Sequence, residues 1–375
     1  MAGIYIHIPF CQKKCNYCDF YSIVPQNHRE DFIKILVSEI ESRQHFLTND
    51  SVDTIYFGGG TPSILKRKEV GLILNTLRNN YNVSNVAEIT FEANPENLSR
   101  EYLKELKQEG VNRLSVGIQS FNDKELAFLK RIHNADKARI SVEDAFSIGF
   151  ENISIDLIYG LPTASYSDWE FNLKEAFKLP IKHLSSYHLS YEEGTLLYKR
   201  LKQGRVKAIP ENDSLLQFQL LIDYTKDQKF SHYEISNFAK ESFYSKHNLS
   251  YWQQKKYLGF GPSAHSYDGS KRSWNISNLK LYIDGVLKKD KVFEEELLSI
   301  NDLANEYLIT NLRTKWGVDM QLYKDKFPKE NYDYLINQSK PFLEKESLVY
   351  ERNKLKLTTK GIFVSDLILK ELYKI

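Results

Sequence analysis

The segment Ile4–Cys18, IYIHIPFCQKKCNYC, decides the fold. Its first half, rich in β-branched and aromatic residues, reads as a strand. Its second half sets Cys11, Cys15 and Cys18 in a C-x3-C-x2-C spacing, and these are the only 3 cysteines in 375 residues. An odd number packed into one short stretch is not a disulfide framework, and it fits a reducing, cytoplasmic setting. Three soft thiolates so close together can wrap one metal centre, and three rather than four leave one coordination position open. That favours an iron–sulfur cluster. Structural zinc with His7 as fourth ligand, and a Cys15–Cys18 redox pair, are the alternatives.

Outward from this segment, apolar runs alternate with helical patterns as far as about Ser190. Strands are expected at Ile4–Ile8, Thr54–Phe57, Glu88–Phe91, Arg113–Val116, Ile153–Leu157 and His183–Leu189. Ser99 is placed to cap a helix over Arg100–Glu109, with Gly110 following it. Asn122 with Glu125, and Ser167 with Glu170, have capping-box spacing, and a helix over Asp136–Ile148 ends at Gly149. Six strand–helix repeats in series predict an α/β fold with parallel strands, a partial or complete β/α barrel first and an open doubly wound sheet second.

After Tyr191 the rhythm changes. Gly194 and Lys202–Pro210 read as connecting loop, and Glu211–Asp227 as helix. Helical patterns recur at Asp302–Thr314 and Met320–Phe327. Leu348–Leu357 reads as a hairpin turning at Arg352-Asn353-Lys354. The expected division is a β/α core over 1–210, an extension over 211–295, and a smaller α+β, winged-helix-like domain over 296–375. From Ile300 to Ile375 there are 13 basic and 11 acidic residues, too even a balance for a reader of phosphates. The whole chain carries 51 basic and 49 acidic residues, which excludes a strongly electrostatic, nonspecific nucleic-acid binder. No apolar run approaches a membrane span, and Met1 to Lys14 lacks the pattern of a signal peptide.

Candidate ligand-binding residues fall at strand ends. Gly58-Gly59-Gly60-Thr61 follows the second strand, where bare backbone amides suit an amino or carboxylate group. Glu92, Gln119, Asp156 and Ser190 end or follow later strands, and in a β/α barrel such ends meet at one mouth. Arg131 is a candidate bidentate partner for a carboxylate.

The CxxxCxxC spacing, with Tyr17 just before the last cysteine, resembles the signature of radical S-adenosylmethionine (SAM) proteins. The resemblance implies a partial (β/α)6-type barrel. It also implies a 4Fe–4S cluster held by Cys11, Cys15 and Cys18, with SAM chelating the fourth iron. Five stretches together resemble the family of oxygen-independent coproporphyrinogen III oxidase and its heme chaperone relative, HemW. They are Tyr5–Cys11, the GGGTP run, Phe91–Pro95, Arg113–Phe121 and Ile155–Pro162. That resemblance implies SAM contacts at Tyr5, Gly59, Glu92 and Ser190, and contacts to a second SAM at Tyr17, Gly60, Thr61, Gln119, Arg131 and Asp156.

Two features point to the chaperone branch of that family. Phe20 stands where the oxidase has a further cysteine, and ten residues precede Cys11 where the oxidase has a long extension. His247-Asn248-Leu249-Ser250-Tyr251-Trp252 matches that branch's HNxxYW motif. An imidazole there can ligate heme iron beside flat aromatic surface, or it can be a buried structural histidine. His265 is a second candidate. The reading is a radical SAM iron–sulfur protein that binds heme and transfers it to acceptor proteins, respiratory proteins at a membrane among them. It expects no nucleic-acid partner and leaves a homodimer open. Oxidative decarboxylation of coproporphyrinogen III is the enzymatic alternative.

Overall fold

The computed structural model describes residues 2–24 and 27–374. All six expected strands form: β1 (Ala2–Ile8), β2 (Val52–Gly59), β3 (Val83–Ala93), β4 (Arg113–Gln119), β5 (Asn152–Tyr159) and β6 (His183–His188). Each pairs in parallel with the next in chain order. A doubly wound sheet reverses its strand order at a switch point. Here the order steps one way from β1 to β6, which is the winding of a barrel. Helices α1 (Arg29–Ser42), α2 (Arg67–Asn80), α3 (Arg100–Glu109), α4 (Asp123–Phe128), α5 (Ala135–Ser147) and α6 (Tyr166–Lys178) make the crossovers.

The sheet stays open. Helices α7 (Leu196–Lys202) and α8 (Glu211–Asp227) lead to β7 (Ser231–Glu234) and β8 (Asn237–Ala239). These two strands extend the β6 edge antiparallel. Helix α9 (Lys246–Trp252) precedes β9 (Tyr257–Phe260), which joins β1 in parallel. Strands β10 (His265–Tyr267), β11 (Lys271–Asn275) and, after α10 (Leu279–Lys288), β12 (Phe293–Leu297) add antiparallel edges beyond it.

Strand alternation sorts chemistry to the two faces. Ile4, Ile6, Ile8, Ile55, Phe57, Phe91, Leu114, Val116, Ile153 and Ile155 are buried in one apolar cluster with the helices. The intervening residues point the other way and bond one another. Tyr56 bonds Glu92, Ser115 bonds Asp156, and Ser154 bonds His183. The barrel interior is polar, and the core lies outside it.

Local signals mostly set the helix ends. Ser99 accepts from the Tyr102 amide, and Gly110 takes φ +100°. Two expected capping boxes do not form. Glu125 is instead buried against Ser120 and Asn172, so Asn122 caps alone. Helix α6 starts two residues early, boxed by Ser165 and Asp168 rather than Ser167 and Glu170. Helix α7, capped by Thr195, fills the stretch between Gly194 and the Lys202–Pro210 loop, for which no element was expected.

A second, smaller core holds Ala304, Leu308, Leu335, Leu355 and Ile368 together. It unites α11 (Ile300–Leu312), β13 (Val318–Asp319), α12 (Met320–Lys326), α13 (Lys329–Glu344), β14 (Leu348–Glu351), β15 (Lys354–Leu357), α14 (Thr359–Phe363) and α15 (Ser365–Leu372). The hairpin turns at Arg352 and Asn353, both at positive φ. The unit docks on the barrel through Arg313. That side chain bonds Glu234 at 2.8 Å and lies 5.1 Å above the Trp252 ring. Among the described residues no helix is long and apolar enough to cross a membrane.

Glu234 is 1% exposed, so removing its cation strips a buried carboxylate of a charged partner. Arg313→Ala is expected to cost about 2 kcal/mol in urea unfolding. A loss below about 0.5 kcal/mol would mean that this contact does not secure the docking.

Candidate functional site

The cysteine loop begins where β1 ends. Its two ends are tied, Cys11 N–H to the Ile23 carbonyl at 2.9 Å and Ile23 N–H to the Pro9 carbonyl at 2.7 Å. Buried Asn16 ties its middle, donating to the Phe128 carbonyl at 2.6 Å and accepting from the Leu197 amide at 2.8 Å. A loop without regular structure is thereby held over the barrel mouth.

All three thiols line one cavity of about 460 Å³ at that mouth, and two of them have a hydrogen-bond donor. Thr61 Oγ1 donates to Cys11 Sγ at 3.4 Å, and Arg131 Nη1 to Cys15 Sγ at 3.5 Å. Burial pushes the Cys18 thiol up to about 11. Gly60 clears space for the loop. A Cβ there would lie 2.7 Å from the Phe10 carbonyl oxygen and 3.1 Å from Cys11 Sγ. Soft thiolates with N–H and O–H donors on their sulfurs, beside a cavity, suit an iron–sulfur cluster.

The zinc alternative needs His7, and His7 is engaged elsewhere. Its Nε2 lies 2.9 Å from the Tyr21 carbonyl and its Nδ1 3.2 Å from Tyr5 Oη. Burial lowers its pKa to about 4.

Opposite the thiols, β3 and β5 supply two carboxylates. Glu92 accepts from Tyr56 Oη at 2.7 Å, and burial, with Asp156 adding to it, pushes it up to about 7. Burial also raises Asp156 to about 6, against the opposing pull of Arg113. Gln119 enters the cavity from a left-handed backbone, φ 71°, where the register with β5 slips. Arg131 Nη2 is clamped by Asn94 Oδ1 at 2.6 Å and the Gly117 carbonyl at 2.7 Å.

Of the residues expected to hold cluster or SAM, all line this cavity except Tyr5. Tyr5 sits beneath, its ring 6.1 Å from Tyr56 and 6.4 Å from His247. His247 is in the barrel floor, 1% exposed. Its Nδ1 bonds Thr54 Oγ1 at 2.8 Å and its Nε2 bonds Tyr251 Oη at 2.7 Å. Both ring nitrogens are taken, and burial lowers the pKa to about 3. His265 is exposed on β10, 6.2 Å from the Trp274 ring. Sequence reasoning did not select Lys13, Lys14, Asn94 and Tyr187, which line the cavity too. Strand alternation from Asp156's neighbour Ser185 signals Tyr187. Position between Glu92 and the following turn signals Asn94.

Residues 5–176 match the model of the radical SAM superfamily, and residues 298–364 match that of the HemN C-terminal domain. Heme chaperone HemW of Bacillus subtilis (strain 168) is 34% identical over 372 residues, covering 97% of this chain and 98% of that protein. Heme chaperone HemW of Lactococcus lactis subsp. lactis (strain IL1403) is 33% identical, covering 95% and 93%. Coproporphyrinogen III oxidase (HemN) of Escherichia coli has the same fold. The TM-score is 0.87 at 23% identity, covering 100% of this chain and 90% of that one.

Glu92 binds its proton more tightly folded than unfolded, so it contributes stability below its ordinary range, which is lost as pH rises through about 7. Relative to Glu92→Gln, the melting temperature of the metal-free wild type is expected to fall between about pH 5 and about pH 8. A difference between the two proteins that does not change with pH would remove the assignment.

Proposed function

The chain belongs to the radical SAM superfamily and, within it, to the heme chaperone HemW family, and from that premise we propose that it binds heme and passes it to acceptor proteins. The observation that carries the reading is the cavity at the barrel mouth, which three thiols, two of them with a hydrogen-bond donor, share with the half-buried carboxylates of Glu92 and Asp156. Cys11, Cys15 and Cys18 would hold a 4Fe–4S cluster. When bound, the cluster supplies an open iron for SAM and one-electron chemistry.

The chain's own groups fit SAM. Glu92 and Asp156 offer negative charge to its ammonium and sulfonium. The Gly59 and Gly60 segment lets the ligand approach backbone closely. Arg131 is held too firmly by Asn94 and Gly117 to swing toward a ligand, and it acts in place. Tyr5 orients Tyr56 from below rather than touching the ligand.

Heme is proposed to meet the lip of the same cavity. Phe20 is 64% exposed and Tyr187 45%, giving flat aromatic surface at the lip. Lys13 and Lys14 beside them suit propionates. Phe20, in place of the oxidase's further cysteine, belongs to this surface. His247 would have to give up two hydrogen bonds and leave the floor to reach iron. We propose that it instead fastens α9 under the barrel.

Hemin titration of the reconstituted protein is expected to give a saturable Soret change. Phe20→Ala and Lys13→Glu/Lys14→Glu should each weaken it at least about fivefold, roughly 1 kcal/mol. His247→Ala should keep the affinity while lowering the melting temperature. No saturable change in the wild type would sink the chaperone reading. Loss of binding in His247→Ala alone, with folding intact, would move the heme site to the HNxxYW segment. Conversion of coproporphyrinogen III with SAM and reductant would establish the enzymatic alternative.

A further inference from the structure

Asn94 belongs to no assignment made so far, yet it joins the partners of two thiols. Its Nδ2 donates to Thr61 Oγ1 at 3.4 Å, and its Oδ1 accepts from Arg131 Nη2 at 2.6 Å. Thr61 donates in turn to Cys11 Sγ, and Arg131 Nη1 to Cys15 Sγ. The result is a continuous arc from one sulfur to the other through Thr61, Asn94 and Arg131.

The polarity of the arc is fixed by the amide. A hydroxyl has one proton. Because Asn94 Nδ2 occupies an acceptor site of Thr61 Oγ1, the Thr61 proton is left for Cys11 Sγ. Asn94 Oδ1 and the Gly117 carbonyl together hold the guanidinium so that Nη1 faces Cys15. Asn94 is itself fixed, its backbone N–H bonding Ser63 Oγ at 3.1 Å. Gly117 makes room, since a Cβ there would stand 3.3 Å from Asn94 Oδ1 and 3.4 Å from Arg131 Nη2.

We infer that Asn94 is a positioning residue that sets the reduction potential of the cluster by aiming Thr61 and Arg131 at the sulfurs of Cys11 and Cys15. The inference rests on the cluster reading above. Hydrogen bonds to cluster sulfurs favour the more negative, reduced state and raise the potential. Asn94→Asp is the informative change. A carboxylate keeps the Arg131 contact but offers Thr61 only acceptors. The Thr61 proton then turns to Asp, and Cys11 loses its donor.

The experiment is a redox titration, followed by electron paramagnetic resonance, on reconstituted protein with matched iron, sulfide and circular dichroism. Thr61→Val and Asn94→Asp should each lower the midpoint potential, and Thr61→Ser, which keeps the hydroxyl, should hold it. In the Thr61→Val background the Asn94→Asp shift should shrink by at least about half, because both changes remove the same bond. An equal shift in both backgrounds would mean only the added charge acts, and would overturn the proposal. No shift in either would overturn it as well. Asn94→Ser, which breaks both arms without adding charge, makes the same comparison if the Asp variant loads no cluster. A wild type that takes up no cluster would overturn the cluster reading and this proposal with it. A loaded wild type whose potential ignores Asn94 overturns the proposal alone.

Discussion

The barrel depends on a constraint of strand geometry. Successive side chains face opposite ways, so six parallel strands must choose which face holds the apolar set. Here it faces the helices, and the inside is left to Glu88, Thr90, Glu92, Arg113, Asp156 and His183. Polar groups out of water need partners from one another. The Tyr56–Glu92, Ser115–Asp156 and Ser154–His183 bonds meet part of that need across neighbouring strands, while Thr90 Oγ1 and Arg113 Nε stay without a hydrogen-bond partner. The same economy leaves Glu92 and Asp156 short of compensation near the mouth, where burial raises both. A ligand bearing positive charge would complete what the fold leaves undone.

The open sheet and the tied loop divide the remaining work. The parallel strands bring their C-terminal ends to one rim. The cysteine loop, anchored at Cys11, Asn16 and Ile23, covers that rim without blocking it. Donors on the sulfurs come from two separate places in the chain, the turn after β2 and the segment after α4. The site is thus an assembly of strand ends, and Arg313, over the Trp252 ring at the end of α9 and paired with Glu234, ties the smaller C-terminal unit to the barrel.

Much of this was legible in the residues. Strand runs were found because β-branched and aromatic residues mark them, and the helix at Arg100–Glu109 because Ser99 and Gly110 bound it. Cysteine spacing and strand-end position found the three thiols, the glycine turn, Glu92, Gln119, Asp156 and Ser190, all of which line the cavity. What escaped was set by tertiary contact. Glu125 was drawn into a buried network with Asn172, 47 residues away in the chain, so its capping spacing misled. His247 read equally as ligand or structural residue, because a sequence does not show which nitrogens are occupied. Asn94 was quoted in a motif but not chosen, since its importance lies in linking Thr61 and Arg131, 33 and 37 residues distant. Tyr5, expected as a SAM contact, stacks on Tyr56 and His247 and is not among the residues lining the cavity.

The central claim is that three thiols at the mouth of a polar half-barrel hold an iron–sulfur cluster with one iron open to SAM. The most direct test is the electron paramagnetic resonance spectrum of the reduced, reconstituted protein before and after SAM is added. The account predicts a 4Fe–4S signal whose g-values move on adding SAM, and which is lost in Cys15→Ala. Stoichiometric zinc in place of iron, or a cluster signal that SAM leaves unchanged, would contradict it.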